Sequence, residues 1–255
     1  MNNDIIIIPL GTISPYCKKN MNCPGFLIKY HEYNILLDCG NGITRYMSFP
    51  QDLKNLNVFI SHMHEDHYGD LSSIMFASLI YKDSREKDKY TNIYTPVLKN
   101  DFLEERFNIL SYPITEELIY HFHDLKISFY DNKSHGIECY MIKLDNGKNK
   151  IVYTSDIGIS NINGIINFAN NSDIFICEST IIKRDESSLD THFSASEAAK
   201  VAKEANVKKL LLTHFNPELD KKEYLIEARN YFENTEVAEE CKKLVLRWKK
   251  DLMKF

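Results

Sequence analysis

The sequence predicts an α/β (α+β) fold in which two β-sheets pack face to face with helices outside. Short β-rich runs recur along the chain, and they fall into two blocks, each followed by segments of helical period. No low-complexity tract, internal repeat or linker divides the chain. Its 255 residues are long for one domain, but layered α/β folds reach this size, so residues 1–255 read as a single unit.

Taken in order, DIIIIPL (4–10), GFLIKY (25–30), YNILLD (33–38) and NVFIS (57–61) are strands, each ended by turn-forming residues. LSSIMFASLIY (71–81) has the length and apolar spacing of a helix, and SREKDKYTN (84–92) has the composition of a solvated loop. TPVLKNDFLEERFNIL (95–110) reads as a helix with Thr95 as N-cap and Pro96 in its first turn. Strands return at 125–131, 137–144 and 150–156, the last two joined by an NGK hairpin turn. SDIFICE (172–178) and KKLLLTH (208–214) are buried strands. Between them SASEAAKVAKEA (194–205) is an amphipathic helix with Ser194 or Ser196 as N-cap. A helix at 223–234 and a strand at 243–248 complete the series.

Hydrophobic residues make up 44% and charged residues 26%, enough apolar material for a large core. The formal charge of −5 argues against a general polyanion-binding surface. Six cysteines are dispersed without a CxxC pair; Cys17 and Cys23 would pair only in an oxidising compartment. MNNDIIIIPL is too short for a signal peptide and carries Asp4, and no uncharged run approaches the roughly 20 residues of a bilayer span. A cytoplasmic protein with free thiols and no membrane partner is the expectation.

The chemistry is concentrated in ISHMHEDHYGD (60–70), which crowds His62, His64, Asp66 and His67 behind an apolar run. Packing makes no such demand, whereas zinc takes imidazole nitrogen and carboxylate oxygen. Further ligands are expected where strands end. His135, in DNKSHG, Asp156, closing KIVYTSD, and His214, closing KKLLLTH, each cut off an apolar run with a ligand-type side chain. His31, His121 and His123 show no such pattern and read as ordinary residues, and Asp38 reads as a turn or supporting residue.

These motifs, with LLDCGNG (36–42) before the loop and SHG, YTSDIG and LTHFNP after it, resemble the metallo-β-lactamase superfamily over nearly the whole length. The resemblance implies a four-layer αββα sandwich, two mixed β-sheets flanked by helices, with a binuclear site at one edge. It assigns His62, His64 and His135 to one metal, Asp66, His67 and His214 to the other, and Asp156 as their bridge. The implied cofactors are two divalent ions, zinc by the histidine-rich set, with manganese or iron admissible. The implied activity is hydrolysis by a metal-bridging hydroxide, with Asp66 able to accept its proton.

ICESTIIKRDESSLDTHFSASEAA (176–199) resembles the ribonuclease Z branch of phosphodiesterases, in which Glu178 would orient His192 and His192 would protonate the leaving oxygen. Two departures stand out. Glu65 replaces the family's glycine, and twenty residues separate His135 from Asp156 where ribonuclease Z carries a substrate-gripping arm. A small phosphodiester, such as a cyclic nucleotide or short oligonucleotide, is therefore expected before a tRNA precursor, with Lys183 and Arg184 as candidate phosphate contacts. The alternatives are a lactone or thioester hydrolase of the same fold and a tRNA 3′-processing endonuclease. A di-iron redox domain is disfavoured because His64 stands where that branch usually has glutamate. A homodimer is in keeping with related enzymes, and the helix at 71–81 with loop 82–92 is expected to shape the mouth of the site.

Overall fold

The computed structural model describes residues 4–81, 91–96 and 109–247. Two mixed sheets carry the molecule. The first contains β1 (Ile5–Gly11), β2 (Gly25–Tyr30), β3 (Tyr33–Leu37), β4 (Leu56–Phe59), β5 (Thr91–Thr95), β6 (Ile109–Pro113) and β14 (Leu244–Leu246). The second contains β7 (Ile119–Phe122), β8 (Leu125–Asp131), β9 (Tyr140–Asp145), β10 (Lys150–Tyr153), β11 (Ile174–Glu178), β12 (Leu210–Thr213) and β13 (Thr235–Val237). The helices are α1 (Glu65–Tyr68), α2 (Leu71–Ile80), α3 (Ile162–Ala169), α4 (Ala195–Glu204) and α5 (Lys221–Arg229).

Strand order is β14-β1-β2-β3-β4-β5-β6 in one sheet and β13-β12-β11-β10-β9-β8-β7 in the other. Pairing runs antiparallel from β14 to β3 and parallel from β3 to β6; it runs antiparallel from β7 to β10 and parallel from β10 to β13. The same sequence of directions occurs twice, although the amino-acid sequence shows no repeat.

Period-2 alternation explains the layers. Phe26, Ile28, Ile35, Leu37 and Phe59 face Ile151, Tyr153, Ile174, Ile176 and Leu211 in the core between the sheets. Their neighbours turn outward: Leu27, Leu36, Leu56 and Val58 pack on Ile74 and Met75 of α2. Val152, Phe175, Cys177, Leu210 and Leu212 pack on residues of α3, α4 and α5, among them Ile165, Ala198, Ala202 and Tyr224. Central strands are buried on both faces, so they read as continuous apolar runs.

Several local expectations need correction. Thr95 is the last residue of β5 rather than a helix N-cap, and Ile109 and Leu110 open β6; residues 97–108 of that expected helix lie outside the described residues. Thr91 and Asn92 belong to β5 instead of the expected loop, of which 82–90 lie outside the described residues. TNIYT pairs between β4 and β6, so tertiary pairing prevails over the Thr-Pro capping pattern. β6 (ILSYP) and β7 (IYHF) carry no strand signal in the sequence because polar residues interrupt their apolar runs. α3 was concealed by its Asn and Gly, though Ile162, Ile165, Ile166 and Ala169 keep helical spacing. The last helix begins earlier than 223 and ends at Arg229, with Asp220 capping it by accepting from the Lys222 N–H.

Candidate metal centre

The loop after β4 explains its own spacing. His62 and His64 stand two residues apart in this loop, and their rings meet edge to face with centroids 4.7 Å apart. His64 is then the extended N-cap of α1 (φ −89°, ψ 141°), and the helical turn sends Asp66 and His67 in another direction. His135 lies beyond β8, Asp156 beyond β10 and His214 beyond β12, all at this same edge. The bends that expose them are tight: Asp38, Ser155 and His214 adopt left-handed φ of 58°, 53° and 61°. Such non-glycine conformations cost about 1–3 kcal/mol each and persist only where surrounding contacts dictate them. Gly40 lets the chain after β3 pass against this loop, since a Cβ there would stand 2.2 Å from the Asp66 carbonyl oxygen.

Two groups of donor atoms result. In the first, His64 Nδ1 stands 3.0 Å from His62 Nε2 and 3.1 Å from His135 Nε2. Asp156 Oδ2 faces His135 Nε2 at 3.3 Å and His62 Nε2 at 3.8 Å. In the second, His67 Nε2 and His214 Nε2 are 3.3 Å apart, with Asp66 Oδ2 at 3.6 and 3.7 Å. Asp156 Oδ1 faces them at 3.2 and 2.9 Å. One carboxylate thus turns an oxygen to each group.

The nitrogens on the outer side decide what can lie between. His67 Nδ1 pairs with Asp38 Oδ2 at 2.8 Å, His135 Nδ1 with the Thr191 carbonyl at 3.0 Å, and His214 Nδ1 with Thr180 Oγ1 at 2.8 Å. Thr180 donates its own proton to Glu178, so its oxygen accepts from His214. Each ring therefore holds its proton outward and aims an Nε2 lone pair at another lone pair or a carboxylate oxygen. Asp156 Oδ1 is buried without a hydrogen bond. The arrangement fits a cation in each group, since donors on a tetrahedral zinc at roughly 2.0–2.1 Å stand about 3.3 Å apart.

Electrostatics agree. Burial opposes charge on His67 and His214, but Asp156 and Asp38 raise His67 well above the usual imidazole range, and Asp156 with Asp66 raises His214 to about 10. Burial likewise opposes ionisation of Asp156, yet His214 and His67 hold it well below the ordinary carboxylate value. His62 is pushed by burial down to about 2. Positive charge is demanded beside Asp156, and a divalent ion meets that demand by displacing protons.

Beside this centre, His192 Nδ1 lies 3.1 and 3.2 Å from the two Glu178 oxygens. Glu178 is fully buried at the end of β11 and also accepts from the Ile157 N–H at 2.7 Å. Burial lowers the His192 pKa, but Glu178 and then Asp156 outweigh it and raise it. The His192 ring stacks on His214 with centroids 5.7 Å apart. Asp156, His192 and His214 also have donor atoms close enough for one ion, but Glu178 already engages the His192 Nδ1.

Some supporting residues were not singled out in the sequence. Ser14 donates to Asp66 Oδ2 at 2.8 Å, Tyr153 donates to Asp38 at 2.6 Å, and Ser61 Oγ lies 3.0 Å from His62 Nδ1. Thr180 links Glu178 to His214, and its signal was its place two residues after the glutamate. Glu65 is exposed in the first turn of α1. Arg184 is a structural clamp instead of a free phosphate contact: it is 2.6 and 3.0 Å from the Glu197 carboxylate and also donates to the His192 and Leu189 carbonyls. His31 and His123 stack on each other far from this edge.

Fold and site define a metal-dependent hydrolase. The chain belongs to the β-lactamase superfamily, whose domain model, "Beta-lactamase superfamily domain", matches residues 33–215. It is 26% identical over 212 residues to "Probable metallo-hydrolase YhfI" of Bacillus subtilis, covering 80% of this chain and 84% of that one. The crystal structure of YhfI superposes with a TM-score of 0.84 at 21% identity, covering 95% and 99% of the two chains. The chain is also 28% identical to ribonuclease Z of Archaeoglobus fulgidus, covering 91% of this chain and 94% of that one. That alignment spans 294 positions, more than the 255 residues here, so the ribonuclease carries insertions this chain lacks. Among the described residues no helix is long and apolar enough to cross a membrane.

Proposed function

We propose that the chain is a binuclear metal-dependent phosphodiesterase acting on a small phosphodiester, such as a cyclic nucleotide or short oligonucleotide. The observation that carries this reading is the Glu178–His192 pair, with Nδ1 3.1 Å from a buried carboxylate beside the metal centre. A carboxylate there orients the ring and favours its imidazolium form, in which Nδ1–H faces Glu178 and Nε2–H is left to protonate the leaving oxygen of a phosphodiester. An acyl hydrolase makes no such demand.

His62, His64 and His135 would hold one ion and Asp66, His67 and His214 the other, with Asp156 shared between them. Bound ions supply two things: an acidified water at neutral pH and neutralisation of charge developing on phosphorus. The remaining work falls to the protein. Asp66, steadied by the Ser14 hydroxyl at 2.8 Å, accepts the proton of the attacking water. His192 donates to the departing oxygen. Thr180 ties the Glu178 carboxylate to the His214 ring, keeping acid and metal centre in fixed relation.

The span from His135 to Asp156 bears on substrate size. That interval is the β9–β10 hairpin turning at Gly147 (φ 78°), with no protruding arm to clamp a large RNA. The relatives named ribonuclease Z favour tRNA 3′ processing as the second reading. One panel separates the readings. Metal-loaded protein is offered 3′,5′- and 2′,3′-cyclic nucleotides, an aryl phosphodiester, a tRNA precursor, a lactone and a thioester. Turnover of the small phosphodiesters is expected. Cleavage of the acyl compounds alone overturns the proposal, and cleavage of the tRNA precursor alone replaces it with the second reading.

A further inference from the structure

β3 begins at the β2–β3 turn and ends at Leu37, one residue before Asp38 beside the metal centre, and β8 likewise begins at the β7–β8 turn and runs towards His135. These two hairpin turns, one from each sheet, therefore lie at the end of the sandwich opposite that centre. Each carries a histidine in left-handed conformation, His31 with φ 51° and His123 with φ 62°. The turns meet there. The two rings stack with centroids 4.5 Å apart and planes 19° from parallel.

Three details make this more than a ring contact. His31, His123 and Asp124 each offer a ligating atom, and the three atoms lie within 4.8 Å of one another. Both ring nitrogens of His31 are shut off from solvent, and neither has a hydrogen-bond partner. Asp124 is fixed by the Tyr30 hydroxyl, which donates to its Oδ1 at 2.6 Å and accepts from Asn146 at 3.2 Å. Stacking alone accounts for the ring geometry, but it leaves the His31 nitrogens unanswered.

We propose that His31, His123 and Asp124 form a third metal site, separate from the binuclear centre, for a late first-row dication of the zinc, copper(II) and nickel(II) class. Two imidazoles and one carboxylate select these ions over calcium or magnesium, which take oxygen ligands. A cation gives one His31 nitrogen the partner it lacks. With the His123 and Asp124 side chains 53% and 42% exposed, water completes the coordination shell and the ion exchanges more readily than in the buried centre. The ion clips the β2–β3 turn to the β7–β8 turn, joining the sheets at the end the binuclear centre does not reach.

The test uses tag-free protein loaded with two equivalents of zinc per chain, enough for the buried centre only, then titrated with Cu²⁺ and read by electron paramagnetic resonance, with retained zinc measured alongside. The expected result is one copper per chain, with hyperfine structure from two nitrogens and no loss of zinc. His31→Ala and His123→Ala should each abolish that signal, while His121→Ala, removing an exposed imidazole on β7, should keep it. His123 is half exposed, so its removal leaves the fold intact by circular dichroism. Absence of the copper signal in the unaltered protein, copper entering only as zinc leaves, or a signal unchanged in His31→Ala and His123→Ala would each overturn the proposal.

Discussion

Every imidazole whose outer nitrogen is engaged at the metal centre presents the other inward, and the outer partner sets affinity as much as the ligand does. Asp38 is fully buried and receives His67 Nδ1, the Ser61 N–H and the Tyr153 hydroxyl. Asp38→Asn keeps an acceptor but removes the charge, so metal affinity should fall about 10- to 100-fold, measured by competition with a chelator. An unchanged affinity would show that His67 needs no such support. His192→Ala is the complementary case. It should keep both ions by metal analysis while kcat on an aryl phosphodiester drops by about 10² or more. Equal loss of metal and activity would instead make His192 a ligand. The convergence of these donor side chains was legible because His62, His64, Asp66 and His67 crowd into six residues and the others each terminate an apolar run. Asp38, Ser14, Thr180 and Tyr153 were harder, since their roles exist only once distant strands converge. The approach of His31 to His123 had no sequence signal at all.

At the level of elements, α4 shows how a helix start serves the site. Ser194 accepts from the Glu197 N–H, Glu197 accepts from the Ser194 N–H, and Arg184 closes on the same carboxylate while holding the His192 carbonyl. Burial raises the Glu197 pKa, but Arg184 and the Ser194 contacts lower it further, so the net shift is downward. A depressed carboxylate contributes stability that is present above its unfolded pKa of about 4.3 and is lost as pH falls through the folded value. Glu197→Gln should therefore lower stability by about 1 kcal/mol at neutral pH, with the difference from the unaltered protein shrinking below about pH 4. Urea unfolding at several pH values measures it, and a pH-independent difference would assign the loss to packing. This cap was legible as an S-x-x-E pattern before an apolar run. β5 and β6 were not, because their identity depends on neighbours supplied from elsewhere in the chain.

Across the whole molecule, the candidate metal centre draws His62, His64, Asp66 and His67 from one sheet and His135, Asp156 and His214 from the other. An ion present at 100 times its dissociation constant contributes about 2.7 kcal/mol to folding. Chelation should accordingly lower Tm, and readdition of zinc should restore it; a Tm indifferent to chelator would count against ion binding. The layers also predict thiol chemistry. Cys17 and Cys241 are exposed while Cys23, Cys39, Cys139 and Cys177 are buried, so a thiol reagent should react promptly with two cysteines and reach all six only in denaturant.

The antiparallel partnership of β14 with β1, Ile5 against Leu246, has a consequence for how the protein comes into being. A nascent chain emerging from the ribosome has its first strand ready long before the matching one is synthesised. Until then the margin beside Ile5–Gly11 offers unsatisfied amides to any passing strand, a hazard that chaperones exist to guard. Closure of this sheet margin therefore waits for β14, and truncations that remove Leu244–Leu246 should leave a sticky, slowly maturing product.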